Sequence, residues 1–241
     1  MTSHSNHYLS RLPEQFRYLG NYKSGEIEIA TDSEVIGTVQ AKLRSKSIAS
    51  SESAPQASET GIVFEDDYIL VIRDPVIFKN GQAGTYLRII ERASLTGKAG
   101  VVMLPVRDNL VYLNKIFRHA TRHWELECPR GYREESQTLE EAVEAELSQE
   151  LGLEIDAIYN LGEVYSNTGL LAGSAQAYFV RLKPGDAAPC PEEGESISDT
   201  VTLTTQEVKA KIRSGEIRDG FTLSVLQLAQ AHDLLTDDRG I

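Results

Sequence analysis

The sequence predicts an α/β fold of the α+β kind, a mixed β-sheet sandwiched between helices, with an N-terminal extension. Three observations carry that prediction. Short runs rich in β-branched and aromatic residues follow one another from residue 61 onward, tight-turn signals separate some of them, and three helices bring their own start and stop signals.

The strands come first. Ile62-Val63-Phe64 and residues 68–72 suit a pleated, half-buried surface. Residues 86–90 follow the turn signal Lys79-Asn80-Gly81. Residues 101–106 and 110–113 flank Arg107-Asp108-Asn109, where Asp and Asn tolerate the backbone of a tight hairpin. Residues 161–165, 175–182 and the short 201–203 complete the set. Among the helices, residues 139–151 place Leu139, Val143, Leu147 and Leu151 at four-residue steps, an apolar stripe. Thr138 and Glu141 form its capping box, and Gly152 ends it. A second helix starts at the capping box of Thr204 and Glu207 and stops near Gly215. A third spans residues 222–235.

The 241 residues allow one large domain or one domain with a short appendage. Apolar residues make up 41% and charged residues 25%, a normal soluble globular mix. With 24 Lys and Arg against 36 Asp and Glu, the net charge of −12 argues against a non-specific grip on nucleic acid or anionic lipid. It permits small phosphorylated ligands bridged by a divalent cation. Cys128 and Cys190 make neither a disulfide framework nor a zinc signature. No apolar run nears the roughly 18 residues of a membrane span, and the first residues lack the basic-then-apolar order of a secretory signal. A cytoplasmic protein is the expectation. Composition sets apart an extension (1–46) and a flexible Ser- and Ala-rich linker (47–60); the rest is read as one domain (61–236) and a tail (237–241), bounds that follow from the resemblance given below.

Glu146 and Glu150 lie four residues apart on the first helix and project from one face. Two unit charges about 5 Å apart repel by about 3 kcal/mol at an effective dielectric near 20. A divalent cation removes that penalty, and carboxylate oxygens are what Mg²⁺ or Mn²⁺ prefers. Taken alone, the pair reads first as an acidic solvated face, since Glu140, Glu141 and Glu144 share the helix. The lead-in weighs toward a site. A strand-like stretch from Trp124 ends in Pro129-Arg130-Gly131, where glycine permits close backbone approach and the Arg130 carbonyl can face the same cation.

Here the sequence resembles the Nudix hydrolases. Their box lines up without a gap as Gly131, Gln137, Ala145-Glu146-Leu147, Ser148, Gln149-Glu150, Leu151 and Gly152-Leu153. Residues 117–127 resemble the strand pair before the box in ADP-ribose pyrophosphatase-like members. Residues 165–171, with Gly169 and Leu170, resemble their substrate loop, and residues 214–223 their C-terminal helix junction. The resemblance implies metal-assisted hydrolysis of a nucleoside diphosphate linked to another group, such as ADP-ribose or a nucleotide sugar, with Mg²⁺ or Mn²⁺ as cofactor. It implies metal ligands at Glu146, Glu150, the Arg130 carbonyl and Gln149. It implies a water-activating base in a late acidic loop, Glu193 first and Glu195 second, beside Glu146. It also implies a homodimer, with residues 62–90 as the interface. Without the family pattern the late acidic loop reads as solvated surface.

The box departs from the family at three places. Gln137 and Gln149 replace Glu, and Ala145 replaces Arg. Gln149 keeps an oxygen but loses a charge, and Ala145 removes a guanidinium that orients the neighbouring carboxylate. The alternative reading is therefore an impaired module that binds a nucleotide sugar or a protein without turnover. Arg118 reads either as a phosphate contact or as a partner for an acid. Trp124 stacks on a base or packs in a core or interface, and Cys128 reads as a small buried residue.

Overall fold

A computed structural model describes residues 8–49, 59–96, 98, 100–185 and 197–235. The chain forms two compact units, Met1–Thr96 with Asn167–Gly173, and Gly97–Ser166 with Ser174–Ile241.

The first unit contains α1 (Glu14–Arg17), β1 (Glu28–Ile29), α2 (Ser33–Ala49), β2 (Gly61–Glu65), β3 (Ile69–Ile77), β4 (Ala83–Glu91) and α3 (Arg92–Leu95). All its strand pairs are antiparallel. β1 and β2 share successive stretches of β3, and β4 pairs along its full length. Residues 61–96, grouped above with the segment through 236, thus pack with the N-terminal residues, because β3 pairs with β1 as well as with its sequence neighbours. α2 starts on Asp32, whose carboxylate accepts from the backbone N–H groups of Glu34 and Val35, and it buries Ile36 and Val39. The helix runs through residues 47–49, read above as linker, since Ser47-Ile48-Ala49 contains no helix breaker. Linker residues 50–58 and tail residues 237–241 lie outside the described residues.

A buried carboxylate closes this unit. Asp74 accepts from the Tyr8 hydroxyl at 2.6 Å and from the Arg88 Nε and Nη2 at 2.7 and 3.2 Å. Arg88 also donates to the Phe16 carbonyl at 2.9 Å. Around them pack Leu9, Leu12, Ile29, Leu70, Ile72 and Ile90. Residues 167–173 dock on β4, with the Ile89 N–H donating to the Leu170 carbonyl and the Ala172 N–H to the Ile89 carbonyl, both at 2.9 Å.

The second unit contains β5 (Gly100–Arg107), β6 (Leu110–Arg118), β7 (His123–Glu127), β8 (Arg130–Tyr132), α4 (Leu139–Glu150), β9 (Ile155–Val164), β10 (Ala175–Leu182), β11 (Ile197–Thr204), α5 (Thr205–Ser214) and α6 (Gly220–Ala231). The strand order is β11-β6-β5-β10-β9, with β7 on β6 and β8 on β5. β5 and β10 run parallel and the other pairs antiparallel, so the sheet is mixed. Alternating residues feed two cores. Val101, Met103, Tyr112, Tyr178 and Val180 pack with Val143 and Leu147 of α4. Val102, Leu104, Val111, Leu113 and Phe179 pack with Val208, Val225 and Ala229 of α5 and α6.

Both expected capping boxes form, at Thr138 with Glu141 and at Thr204 with Glu207. Gly152 has φ 61°, the left-handed backbone that ends α4. α6 begins and ends earlier than expected. Asp219 caps it through the Thr222 N–H, and His232 is its C-cap, before Asp233 at φ 57°. β9 is longer than expected because a bulge near Leu161, opposite Ala177 and Tyr178, interrupts its alternation.

The Asp74 clasp yields a stability test. Arg88→Met leaves the carboxylate buried without its charge partner and lowers unfolding free energy by about 3–5 kcal/mol, measured by urea denaturation against the parent chain.

Candidate active site

β5 and β6 pair only where their hairpin closes, Val106 with Val111 and Arg107 with Leu110. Asp108 and Asn109 have φ of 50° and 64°, as a tight turn between twisted strands requires. Beyond that the strands part, and residues 123–132 fill the opening. β7 pairs with β6 from Arg118–His123 to Asn114–Glu127. β8 pairs with β5 from Val102–Arg130 to Gly100–Tyr132. Cys128 and Pro129 carry the chain from one ladder to the other, and Pro129 accepts from the Met103 N–H at 3.0 Å. Proline suits the crossing, because it has no N–H to leave unpaired between two ladders.

This insertion meets the acidic edge of α4. A Cβ on Gly131 would stand 1.7 Å from Glu146 Oε1 and 2.1 Å from its Cδ. Only bare backbone admits the Glu146 carboxylate there. One turn later Glu150 is buried and accepts from Asn114 Nδ2 at 2.6 Å. Gln149 is half-buried and Ala145 solvent-exposed. Gln137 serves its own loop, its side-chain carbonyl accepting from the Glu134 N–H at 3.1 Å and its backbone carbonyl from Arg133 at 2.8 Å.

Beside the insertion lies an ionic network. Glu127, 2% exposed, accepts from Arg118 Nε at 2.9 and 3.0 Å, and Arg130 Nη2 stands 3.1 Å from it. Arg130 Nη1 also reaches Asp219 at 3.5 Å. Asp219 accepts from the Thr222 hydroxyl at 2.8 Å, and Thr222 Oγ1 accepts from the Cys128 N–H at 2.9 Å. On the next inward position Glu125 pairs with Arg218 at 2.8 Å, and that guanidinium holds its carboxyl below the usual range. Burial pushes the Cys128 thiol up, which fits the small buried residue expected rather than a nucleophile.

The structure therefore brings Arg130, Gly131 and Glu146 together and sets Glu150 and Gln149 one turn along the same helix. Of the two roles read for Arg118, the ion pair to an acid is present. Trp124 is half exposed, edge-on to Phe117 with centroids 5.5 Å apart, so it fills no core. Gly169 and Leu170 belong to the first unit, where the Gly169 N–H donates to Asn167 Oδ1 at 3.1 Å. Glu193 and Glu195 lie outside the described residues. Asn114 and Glu127 were not singled out from the sequence. For Asn114 the signal is a polar residue in an apolar strand run, on Tyr112's face of the sheet, and Glu127 is its register partner on β7.

Among the described residues no group of three or more His, Cys, Asp and Glu side chains is set to hold a metal ion. The Gly131 cradle seats one carboxylate on the bare backbone of β8 and leaves a second, buried one a turn away. Mg²⁺ and Mn²⁺ need only one or two carboxylates when water and phosphate oxygens complete the shell, so the residues present fit such a cation.

Comparisons with known proteins agree with this architecture. No family model matches the chain. A GDP-mannose pyrophosphatase of Yersinia enterocolitica is 32% identical over 100 residues, which are 40% of this chain and 51% of that protein. The chain thus spans about half the length of the curated relative it matches. The crystal structure of an ADP compounds hydrolase superposes with a TM-score of 0.59 at 18% identity, covering 72% of this chain and 91% of that one. This is the Nudix fold. The resemblance to the ADP-ribose pyrophosphatase-like branch is borne out, and so is the mixed sheet between helices. No helix among the described residues is long and apolar enough to cross a membrane.

Gly131→Ala tests the cradle, because the three nearest atoms a Cβ meets there, all under 3 Å, belong to the one flexible side chain of Glu146. Circular dichroism and melting temperature stay close to the parent, while Mn²⁺ affinity measured by calorimetry falls as the Glu146 carboxylate is displaced.

Proposed function

We propose that this chain hydrolyses the diphosphate anhydride of a nucleoside diphosphate joined to another group, using Mg²⁺ or Mn²⁺. ADP-ribose and nucleotide sugars are the substrate class, and a nucleoside monophosphate and a sugar phosphate are the products. The observation that carries this reading is the Glu146 carboxylate seated on the bare backbone of Gly131, one helical turn from buried Glu150. The names of the two similar proteins, a pyrophosphatase and an ADP compounds hydrolase, support it.

In this reading Glu146 and Glu150 hold the cation with the Arg130 carbonyl, and Gln149 adds a neutral oxygen. The cation, when bound, neutralises the diphosphate and stabilises charge developing on the leaving phosphate. Glu193, with Glu195 as second candidate, takes the proton of the water that attacks phosphorus as the anhydride P–O bond breaks. Gly169 and Leu170 contact substrate. Arg118 contacts a phosphate through the part of its guanidinium not engaged by Glu127. A cytoplasmic homodimer using residues 62–90 belongs to the same proposal, and light scattering tests its dimeric state. One observation favours the alternative of binding without turnover: Ala145 and Gln137 leave the box without two of its family charges, and Gln137 is committed to its own loop.

The test is release of AMP from ADP-ribose and of GMP from GDP-mannose, with Mg²⁺, with Mn²⁺ and with EDTA. Slow turnover that EDTA abolishes is expected, and Glu146→Gln eliminates it. Turnover untouched by Glu146→Gln excludes the site, and nucleotide binding with no release supports the alternative. Gln149→Glu restores a charge beside the cation and raises the rate; a fall or no change contradicts the role given to Gln149.

A further inference from the structure

Among the described residues, Asn114 Oδ1 is a buried side-chain atom with no hydrogen-bond partner. Asn114 is 4% exposed and lies on β6, on the face that carries Tyr112 toward α4. Its Nδ2 donates to Glu150 Oε2 at 2.6 Å. Turning the amide over sets Oδ1 against Oε2 of the Glu150 carboxyl group, oxygen facing oxygen. A buried acceptor left unmade is costly, and native structures keep few of them. The orphan belongs to the same amide that holds one of the two acids on the α4 edge. A cation, or a water polarised by one, is the partner that satisfies a neutral oxygen beside carboxylates.

We infer that Asn114 serves the divalent-cation site from both ends of its amide. Nδ2 fixes the Glu150 carboxylate, and Oδ1 offers a neutral oxygen to the cation or to a water the cation carries. Asn114 is thus a positioning residue for Glu150. The inference rests on the proposal that Glu146 and Glu150 hold a cation. No box position supplies this asparagine, which comes from a strand more than thirty residues before Glu150.

The experiment follows free Mn²⁺ by electron paramagnetic resonance during titration of the full chain. Melting temperatures are taken in EDTA and in Mn²⁺. Asn114→Leu keeps the branched heavy-atom shape and removes both ends of the amide, and it weakens Mn²⁺ binding by about 10- to 100-fold. Asn114→Asp keeps an oxygen but turns the donor into a second charge facing Glu150. It lowers the melting temperature in EDTA and enlarges the Mn²⁺-induced rise beyond that of the parent. If Asn114→Leu binds Mn²⁺ as tightly as the parent while Glu146→Gln binds it weakly, the role of Asn114 is overturned and the cation site stands. If the parent binds no Mn²⁺, or Glu146→Gln binds it unchanged, the site itself is overturned and this inference with it. Should Asn114→Leu not fold, Asn114→Asp decides, and a Mn²⁺-induced rise no larger than the parent's overturns the inference.

Discussion

The parting of β5 from β6 governs the second unit. Were the two strands paired along their whole length, their ladders would close and residues 123–132 would have no place in the sheet. Because pairing stops two residues into the hairpin, each strand has a free edge, and the insertion satisfies both with β7 and β8. Buried backbone groups must be paired, so the insertion is held at both ends. Its bend, and with it Gly131, has little freedom to move away from α4.

α4 is held from its other side by burial. Val143 and Leu147 are fully enclosed against β5, β6 and β10, and a side chain of that kind contributes about 1.5–3 kcal/mol when removed from water. A helix anchored by its apolar stripe has one rotation about its axis. That rotation brings Glu146 to the bend and Glu150 to Asn114. Packing in the core therefore sets the geometry of two acids that make no contribution to the core themselves.

The unit also buries acids besides Glu150 of α4. Glu125 and Glu127 sit on one face of β7, and each is matched by arginine: Arg218 for the first, Arg118 and Arg130 for the second. Taking a carboxylate out of water costs several kcal/mol, and a partner that is removed leaves that cost uncompensated. The arrangement links the strand insertion to the start of α6, since Arg130 reaches Asp219 and Asp219 holds Thr222. Glu150 accepts from an amide, that of Asn114, at 2.6 Å.

Much of the architecture was legible because its signals are local. The capping boxes at Thr138 and Thr204, the four-residue apolar steps of α4 and the Asp108-Asn109 turn each lie within a few residues, and each formed as read. The spacing of Glu146 and Glu150, and the glycine before them, were legible for the same reason. The extent of β9, the start of α6, the grouping of residues 61–96 with the N-terminal strands, and the parts played by Asn114 and Glu127 were not. Each depends on a partner far away in the chain: Ala177 opposite the bulge, Asp219 with Arg130, β1 beside β3, Glu150 over Asn114. By itself the sequence determined which groups the chain offers and at what helical or strand spacing, since those are properties of neighbouring residues. Only the tertiary structure decided which of them are buried, which acid meets an arginine and which an amide, because desolvation and pairing depend on what the fold brings alongside.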